Sequence, residues 1–494
     1  MLRNTPPDPR AAARRASRFR WTPRARAAAA LIGLGTFGPA AAAVAQASSP
    51  PAQPPTARAS GSEGAAASVD TLVTRALAVH PAIRAASLRV DAARARVRPA
   101  AAWPDPMLMA GIQNVPLSGE EQQAAAGTTS SMPAGADPMT MRMVGVTQTV
   151  PFRGKLALAR RAAEREVGAT TATLDATRRE VVRDVKDTYY ELAFLDRALE
   201  IVERNRGVLV NLIQVTEARY GTGAAGQQDV LKARVEASRL AETAVSLTEQ
   251  RTATLARLNA LLDRPSDTPV PGATVPNAIA RSAVADSARD IRFVSASLGA
   301  RAAGLPFPPL TDLQDLAIRQ SPELRGHEAM IAAQAARVEL ARKDALPDFN
   351  LSLQYGQRTG YPDMVSAVVS VPLPVQRHGK QDQLAKAAGA ELASLQAEHH
   401  AKQNDVRAEV ARLVSELERQ RAHLALYVKA VLPQGRGSLA SATTSYQVGR
   451  VEFLTVLENQ ATLFTYETEY FRALTEFAKT LAELERVSGS EVLP

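Results

Sequence analysis

Residues 181–202 read VVRDVKDTYYELAFLDRALEIV, and residues 406–431 read VRAEVARLVSELERQRAHLALYVKAV. In the first stretch Val181, Val185, Thr188, Leu192, Leu195, Leu199 and Val202 step by four and three in turn. In the second, Val406, Val410, Leu413 and Leu417 do the same, as do Leu424, Tyr427 and Val431, with Gln420 as a polar interruption. An apolar residue every three and four positions is the a/d pattern of helices that pair along a seam. The spacing predicts a first long helix over about 153–219, which at 1.5 Å per residue would reach roughly 100 Å. That is too long for a globular core and suits a chain that spans a compartment.

The two stretches are copies of one unit. Pro81 falls on Pro322, Arg84 on Arg325, Arg96-Val97 on Arg337-Val338 and Pro106 on Pro347, all at an offset of 241. Further on, Gly154-Lys155 falls on Gly379-Lys380 and Val181 on Val406 at an offset of 225; Tyr220, Gly223 and Val230-Leu231 fall on Tyr446, Gly449 and Val456-Leu457 at 226. The shortfall lies between the prolines and the Gly-Lys pairs, where the first copy carries a Gly/Ala/Ser/Gln stretch at 118–138. An indel of that size belongs in a surface loop. Each copy predicts an amphipathic helix (about 70–100 and 312–344) ended by Pro106 or Pro347. Two extended runs follow (about 107–116 and 140–150; 349–357 and 365–373), then a very long helix, a sharp turn and a returning helix. The run Phe349-Asn350-Leu351-Ser352-Leu353 alternates as a half-buried strand does. Pro433, Gly435 and Gly437 should bend or loosen the second long helix near its far end.

Composition narrows the class. Of 494 residues only 4% are aromatic and none is cysteine, which excludes disulfides, thiolate metal sites and a cysteine nucleophile. The net charge of +9 is concentrated at the start. Without the eight arginines and one acid of residues 1–26, 51 basic and 49 acidic side chains remain, so no basic footprint points to nucleic acid. The arginine-rich start runs into an apolar stretch from Ala27 to Ala45 followed by small residues, the order of a cleaved secretory signal. Beyond it no run of ~18 apolar residues could cross a bilayer as a helix. A membrane crossing would therefore be made by strands.

Four strands of roughly ten residues suit a membrane barrel but cannot close on themselves. An open sheet would leave two edges unpaired in lipid. Three copies would give twelve strands, with the helices continuing below them as a tube. The fold expected is mainly α with a small β part: a duplicated helix–strand–strand–helix repeat, a long coiled-coil α-barrel, and a 12-stranded β-barrel shared by a trimer. The chain divides into a signal segment (1–47), a flexible lead-in (48–69) and a first repeat (70–263). An inter-repeat equatorial segment (264–311), a second repeat (312–489) and a tail (490–494) follow.

The twofold helix–strand–strand–helix unit, the Pro-x-Ile/Leu-Arg motif at Pro81 and Pro322, the Gly-Lys junctions and the turn Tyr-x-x-Gly-x5-[DT]-Val-Leu together resemble the TolC family of outer-membrane efflux proteins. The resemblance covers about 70–263 and 310–489. It implies an exit duct of a tripartite, RND-type efflux system. Such a duct is a homotrimer in outer-membrane lipid, with a long periplasmic portion that docks a periplasmic adaptor and an inner-membrane pump. It implies neither an enzyme nor a cofactor. A periplasmic adaptor, a coiled-coil rod and a type I protein-secretion duct are the competing readings; the first two would lack the paired strand units.

The resemblance also suggests roles for particular residues. Tyr220, Gly223, Tyr446 and Gly449 would mark the periplasmic tips that touch the adaptor, or else ordinary hairpin turns in which glycine permits φ > 0. The family narrows its tip with acids six and nine residues past the second turn glycine. Here those positions are Thr455 and Glu458, and Asp229 stands six past the first. A threefold ring of Glu458 would favour cations.

Methionine is clustered. Six of nine lie in 107–143, and Met139, Met141 and Met143 share one strand face, as do Met107 and Met109. Thioethers are soft ligands suited to Cu(I) and Ag(I). Met107, Met109, Met139, Met141 and Met143 therefore either contact a metal cargo or merely cover a lipid-facing or inter-strand surface. Cargo would be metal ions, of the copper/silver or cobalt–zinc–cadmium type, or other small toxic molecules.

Overall fold

The computed structural model describes residues 68–114, 140–284, 308–358 and 361–490. The signal segment 1–47, the lead-in up to residue 67, the loop 118–138, Met132 and Met139, residues 285–307 of the inter-repeat segment and residues 491–494 lie outside the described residues.

Each repeat opens on two helices where the sequence predicted one. α1 (Val69–Val79) and α2 (Pro81–Ala101) are separate, as are α6 (Leu310–Gln320) and α7 (Pro322–Lys343). The break is the residue before proline. His80 and Ser321 are driven to ψ 125° and 120° by the following ring, and Pro81 and Pro322 then start the next helix, where a missing N–H costs nothing. Both residues also cap: His80 Nδ1 accepts from the Ala82 N–H at 3.2 Å, and Ser321 Oγ accepts from the Leu324 N–H at 3.4 Å. Nor do Pro106 and Pro347 end these helices. α2 and α7 stop earlier, at Ala101 and Lys343, and the prolines sit in the short links to the strands.

The strands are β1 (Met107–Gln113), β2 (Met141–Val150), β3 (Phe349–Arg358) and β4 (Met364–Ser370), paired antiparallel in the order β1-β2-β3-β4. The two inner strands have ten residues and the two outer ones seven, shorter than the expected ten. β2–β3 pairing, from Met141 opposite Arg358 to Val150 opposite Phe349, fuses the two repeats into one sheet.

α3 (Lys155–Gly221) is a single helix of 67 residues. It turns into α4 (Gln227–Leu261). An extended segment then leads to α5 (Asn277–Val284). The second long helix is α8 (Gln381–Leu426), a π-helical turn at Tyr427–Val431, and α9 (Leu432–Gln447); α10 (Phe453–Ser488) returns. The predicted loosening is thus a π turn just ahead of Pro433, whose ring cannot accept an ordinary helical carbonyl four residues back. Tyr427 in that turn donates to Glu469 Oε2 at 2.5 Å; burial first, then this bond, pushes its hydroxyl up to about 12.

Helices follow the order of the strands. On the strand side α2 packs on α3, α3 on α7 and α7 on α8; beyond them α4 packs on α3, and α10 on α3, α8 and α9. The heptad positions form the seams: Val181, Val185, Thr188, Leu192, Leu195 and Val202 are buried, as are Val410, Leu413, Leu417 and Leu424. Gln420 is buried there too, and its amide nitrogen donates to Thr480 Oγ1 and Glu416 Oε1 at 3.1 Å each, while its Oε1 is buried without a partner. α1 and the segment at Val270 and Ala273 join the apolar cluster of α3, while α6 and Ala283 join that of α8 and α10. No helix among the described residues is long and apolar enough to cross a membrane.

Candidate functional site

Register sorts the sheet into two unlike faces. Residues directly opposite each other share a face. Leu108 stands opposite Val146, Val146 opposite Leu353 and Leu353 opposite Ala367; one step along, Ala110, Val144, Tyr355 and Val365 form the next row. These rows are apolar and exposed, and the same face carries Arg142 and Gln357 at the loop end and Gln148 at the helix end. The opposite face carries Thr147 hydrogen-bonded to Ser352 (2.9 Å) and Thr149 to Asn350 (2.8 Å), with Gln354, Ser366 and three glycines, Gly111, Gly145 and Gly356. Along β2 and β3 this polar face is consistently the more buried. Gly145, Thr147 and Gly356 are buried and Met141, Met143, Asn350, Ser352 and Gln354 half-buried, as on the concave side of a curved sheet.

The methionines lie on the polar face. Met107 is opposite Thr147, Met109 opposite Gly145, Met143 between Gly111 and Gly356, and Met141 between Gln113 and Arg358. Met364, on β4, stands opposite Gly356 on the same face. Strand parity within one segment grouped Met141 with Met143 but could not attach Met364, because its partner strand is set by long-range pairing. Among the described residues no group of three or more His, Cys, Asp or Glu is placed to hold a metal.

Where strands meet helices, the first repeat is locked. Lys155 is buried and its Nζ pairs with Asp348 (2.9 Å) and Asp344 (3.5 Å); the Phe152 N–H also donates to Asp348 at 2.7 Å. Burial alone would raise the Asp348 carboxyl. The Lys155 and Phe152 hydrogen bonds outweigh that and hold it below the ordinary value. Gly154 sits at φ +92°, where a Cβ would lie 2.5 Å from Lys343 Nζ.

At the far ends, the two predicted turns share one backbone. Gly223 and Gly449 have φ of 74° and 75°, and the Ala224 and Arg450 N–H groups close onto the carbonyls of Arg219 and Ser445 at 2.8 and 2.9 Å. Their tyrosines differ. Tyr220 is 49% exposed, whereas Tyr446 is 4% exposed. Tyr446 lies edge-on to Phe453 (5.7 Å) under the Arg219 guanidinium (4.6 Å), and Arg219 donates to its carbonyl oxygen. Arg219 carries no signal in the sequence beyond falling on Ser445 of the other copy.

Thr455 and Glu458 are both exposed, one turn apart on α10, while Val456 and Leu457 between them are buried. Asp229 is half-buried on α4, and its carboxylate accepts from the Gly226 N–H at 3.4 Å, capping its own helix. The structure therefore brings Thr455 and Glu458 together and gives Asp229 a local role.

A family model described as outer membrane efflux protein matches residues 72–264 and 313–490. The chain is similar to the cobalt-zinc-cadmium resistance protein CzcC of Cupriavidus metallidurans, 23% identical over 345 residues that cover 69% of this chain and 75% of that protein. Among solved structures it resembles CusC, with a TM-score of 0.68 and 18% identity over 85% of this chain and 92% of that one. It also resembles the outer-membrane channel OprN (0.67; 18%; 86% and 91%). VceC of Vibrio cholerae follows (0.66; 19%; 86% and 96%).

Proposed function

The chain belongs to the outer membrane efflux protein family, whose members are efflux channels of the outer membrane with a periplasmic extension, and on that premise we propose that three copies close into one exit duct for metal ions. The observation that carries this is the matching order of the two layers. β1 and β4 are edges of the sheet, and α2 and α8 flank the helices in the same order. An edge strand in lipid leaves N–H and C=O groups unsatisfied at several kcal/mol each. Pairing β4 of one copy with β1 of the next satisfies every edge at once. Twelve strands then form a barrel with the aliphatic face toward lipid and the polar face toward a lumen. Trp103 and Phe349 at the helix end, and Tyr355 and Tyr361 at the loop end, are exposed. Phe349 and Tyr355 lie about 20 Å apart along the strand at 3.4 Å per residue, a spacing suited to aromatic girdles at the two interfaces.

The tips formed by Tyr220–Gly223 and Tyr446–Gly449 dock a periplasmic adaptor joined to an inner-membrane pump, with Tyr220 as the contacting ring. Exposed Glu458, repeated three times, lines the narrow end and favours cations. The likeness to a cobalt-zinc-cadmium resistance protein supports a metal cargo.

Membrane fractionation followed by native mass spectrometry in detergent tests the assembly. We expect an outer-membrane trimer; a soluble periplasmic monomer would overturn it. In planar bilayers Glu458→Ala should weaken block of the pore by divalent cations, and unchanged block would remove the carboxylate ring. Deletion of the gene should raise sensitivity to metal salts.

A further inference from the structure

We propose that Met141, Met143 and Met364 form a thioether site on the inner face of the sheet that takes a soft monovalent cation, Cu(I) or Ag(I). The proposal rests on the duct reading, because the barrel makes this face a lumen. Three observations carry it.

The first is convergence on one glycine. Gly356 lies between Met143 on β2 and Met364 on β4, directly opposite both. A Cβ on Gly356 would fall 2.8 Å from Met141 Sδ, so that sulfur already lies over the glycine. Adjacent strands are about 4.8 Å apart, and a methionine side chain has three rotatable bonds with which to cross that gap. The missing side chain at Gly356 is what leaves the space.

The second is the face. Methionines that served only to cover apolar surface would belong on the aliphatic side with Val144, Leu353 and Val365. These stand instead among Thr147, Ser352, Gln354 and Ser366, on the side a lumen would wet. No carboxylate shares this face in the described strands. The charged neighbours are Arg358, opposite Met141 and turned to the Pro362 carbonyl (2.7 and 2.9 Å) and toward Tyr361, and Asp363, just before Met364, whose carboxylate accepts from the Arg358 N–H (3.4 Å) and from Tyr355 of the other face. Sulfur-only donors disfavour hard divalent ions and suit a low-charge, polarisable one.

The third is position. Met141 and Met364 begin β2 and β4, at the loop end of the sheet, opposite the end that joins the helices. In a trimer three such sites would ring the outer mouth, the last place an exported cation touches protein. A sparse sulfur set there binds strongly enough to draw the ion forward and weakly enough to release it.

The test uses the full-length protein purified in detergent, titrated with Ag(I) and, separately, Zn(II), with channel conductance recorded on the same samples. Met141→Leu/Met143→Leu/Met364→Leu keeps side-chain volume and removes the sulfur. Wild type should take up about one Ag(I) per chain at this site, and the triple variant should bind it at least an order of magnitude more weakly. Zn(II) uptake and conductance should match between the two. Equal silver affinity in both proteins overturns the site. So does an equal loss in Met107→Leu/Met109→Leu, at the other end of β1. Should the triple variant fail to assemble, Met364→Leu on the edge strand reads the same loss. If wild type conducts no ions, the duct reading fails; a silver difference between the samples would still uphold the thioether cluster.

Discussion

Gly154-Lys155 and Gly379-Lys380 hold matching places in the two repeats, yet their surroundings are opposite. Lys155 is buried between Asp344 and Asp348 beside a left-handed glycine. Lys380 is exposed, Gly379 has no positive φ, and nearby Leu373 and Val375 are 78% and 91% exposed. At the tips the contrast reverses, with Tyr220 outside and Tyr446 inside. Neighbours rather than local sequence explain this. β2–α3 lies in the middle of the strand-side layer and β4–α8 at its edge; at the tips Tyr446 of α9 is covered by Phe453 of α10 and Arg219 of α3, while Tyr220 at the end of α3 stays exposed. What one copy leaves bare at an edge is what a second copy can cover.

The comparison can be broken most sharply at the tips. Tyr446→Ala should lower stability by about 3 kcal/mol, the usual cost of truncating a buried aromatic, read by chemical unfolding of the detergent-solubilised protein. Tyr220→Ala should stay within about 0.5 kcal/mol while weakening capture of the adaptor. Equal losses would mean that the two rings are equivalent after all.

At the junctions Lys155→Ala should cost about 2 kcal/mol, since it leaves Asp348 half-buried without its cation; Lys380→Ala should be nearly silent in the same unfolding assay. Gly154→Ala should cost about 1–2 kcal/mol for forcing a side chain into the left-handed region, against little for Gly379→Ala, where a Cβ meets nothing closer than 3.8 Å.

A smaller effect sharpens the same contrast through pH. Asp348 titrates below the ordinary carboxylate value in the folded protein. Its contribution is therefore present above the unfolded pKa, about 3.9, and is lost as pH falls through the lower folded value. Thermal unfolding between neutral and acid pH should show that loss in wild type and a shallower one in Lys155→Ala. An identical slope in both would remove the ion pair from the account.

Much of this was legible in the residues. The four-three stepping placed seam positions most of which turn out buried, with Leu199, Val406 and Val431 only half-buried, and the offsets announced two equivalent units. What escaped were features set by single residues against the backbone. Pro81 and Pro322 were visible as the start of a motif, but their effect on His80 and Ser321 splits one expected helix into two. At the candidate site, period two put Met141 beside Met143, while Met364 and Gly356 joined them only through pairing with strands more than 200 residues away.

The sequence by itself determined the periods: 3.5 for the helices, two for the strands, and a repeat of about 225 to 241 residues. The first two follow from local geometry, which each segment carries within itself, and the third from comparing one half of the chain with the other. Only the tertiary structure decided which strand face is concave, which copy sits in the middle of a layer, and which tyrosine is buried. These depend on register between distant segments, and a chain records such contacts only when it has folded.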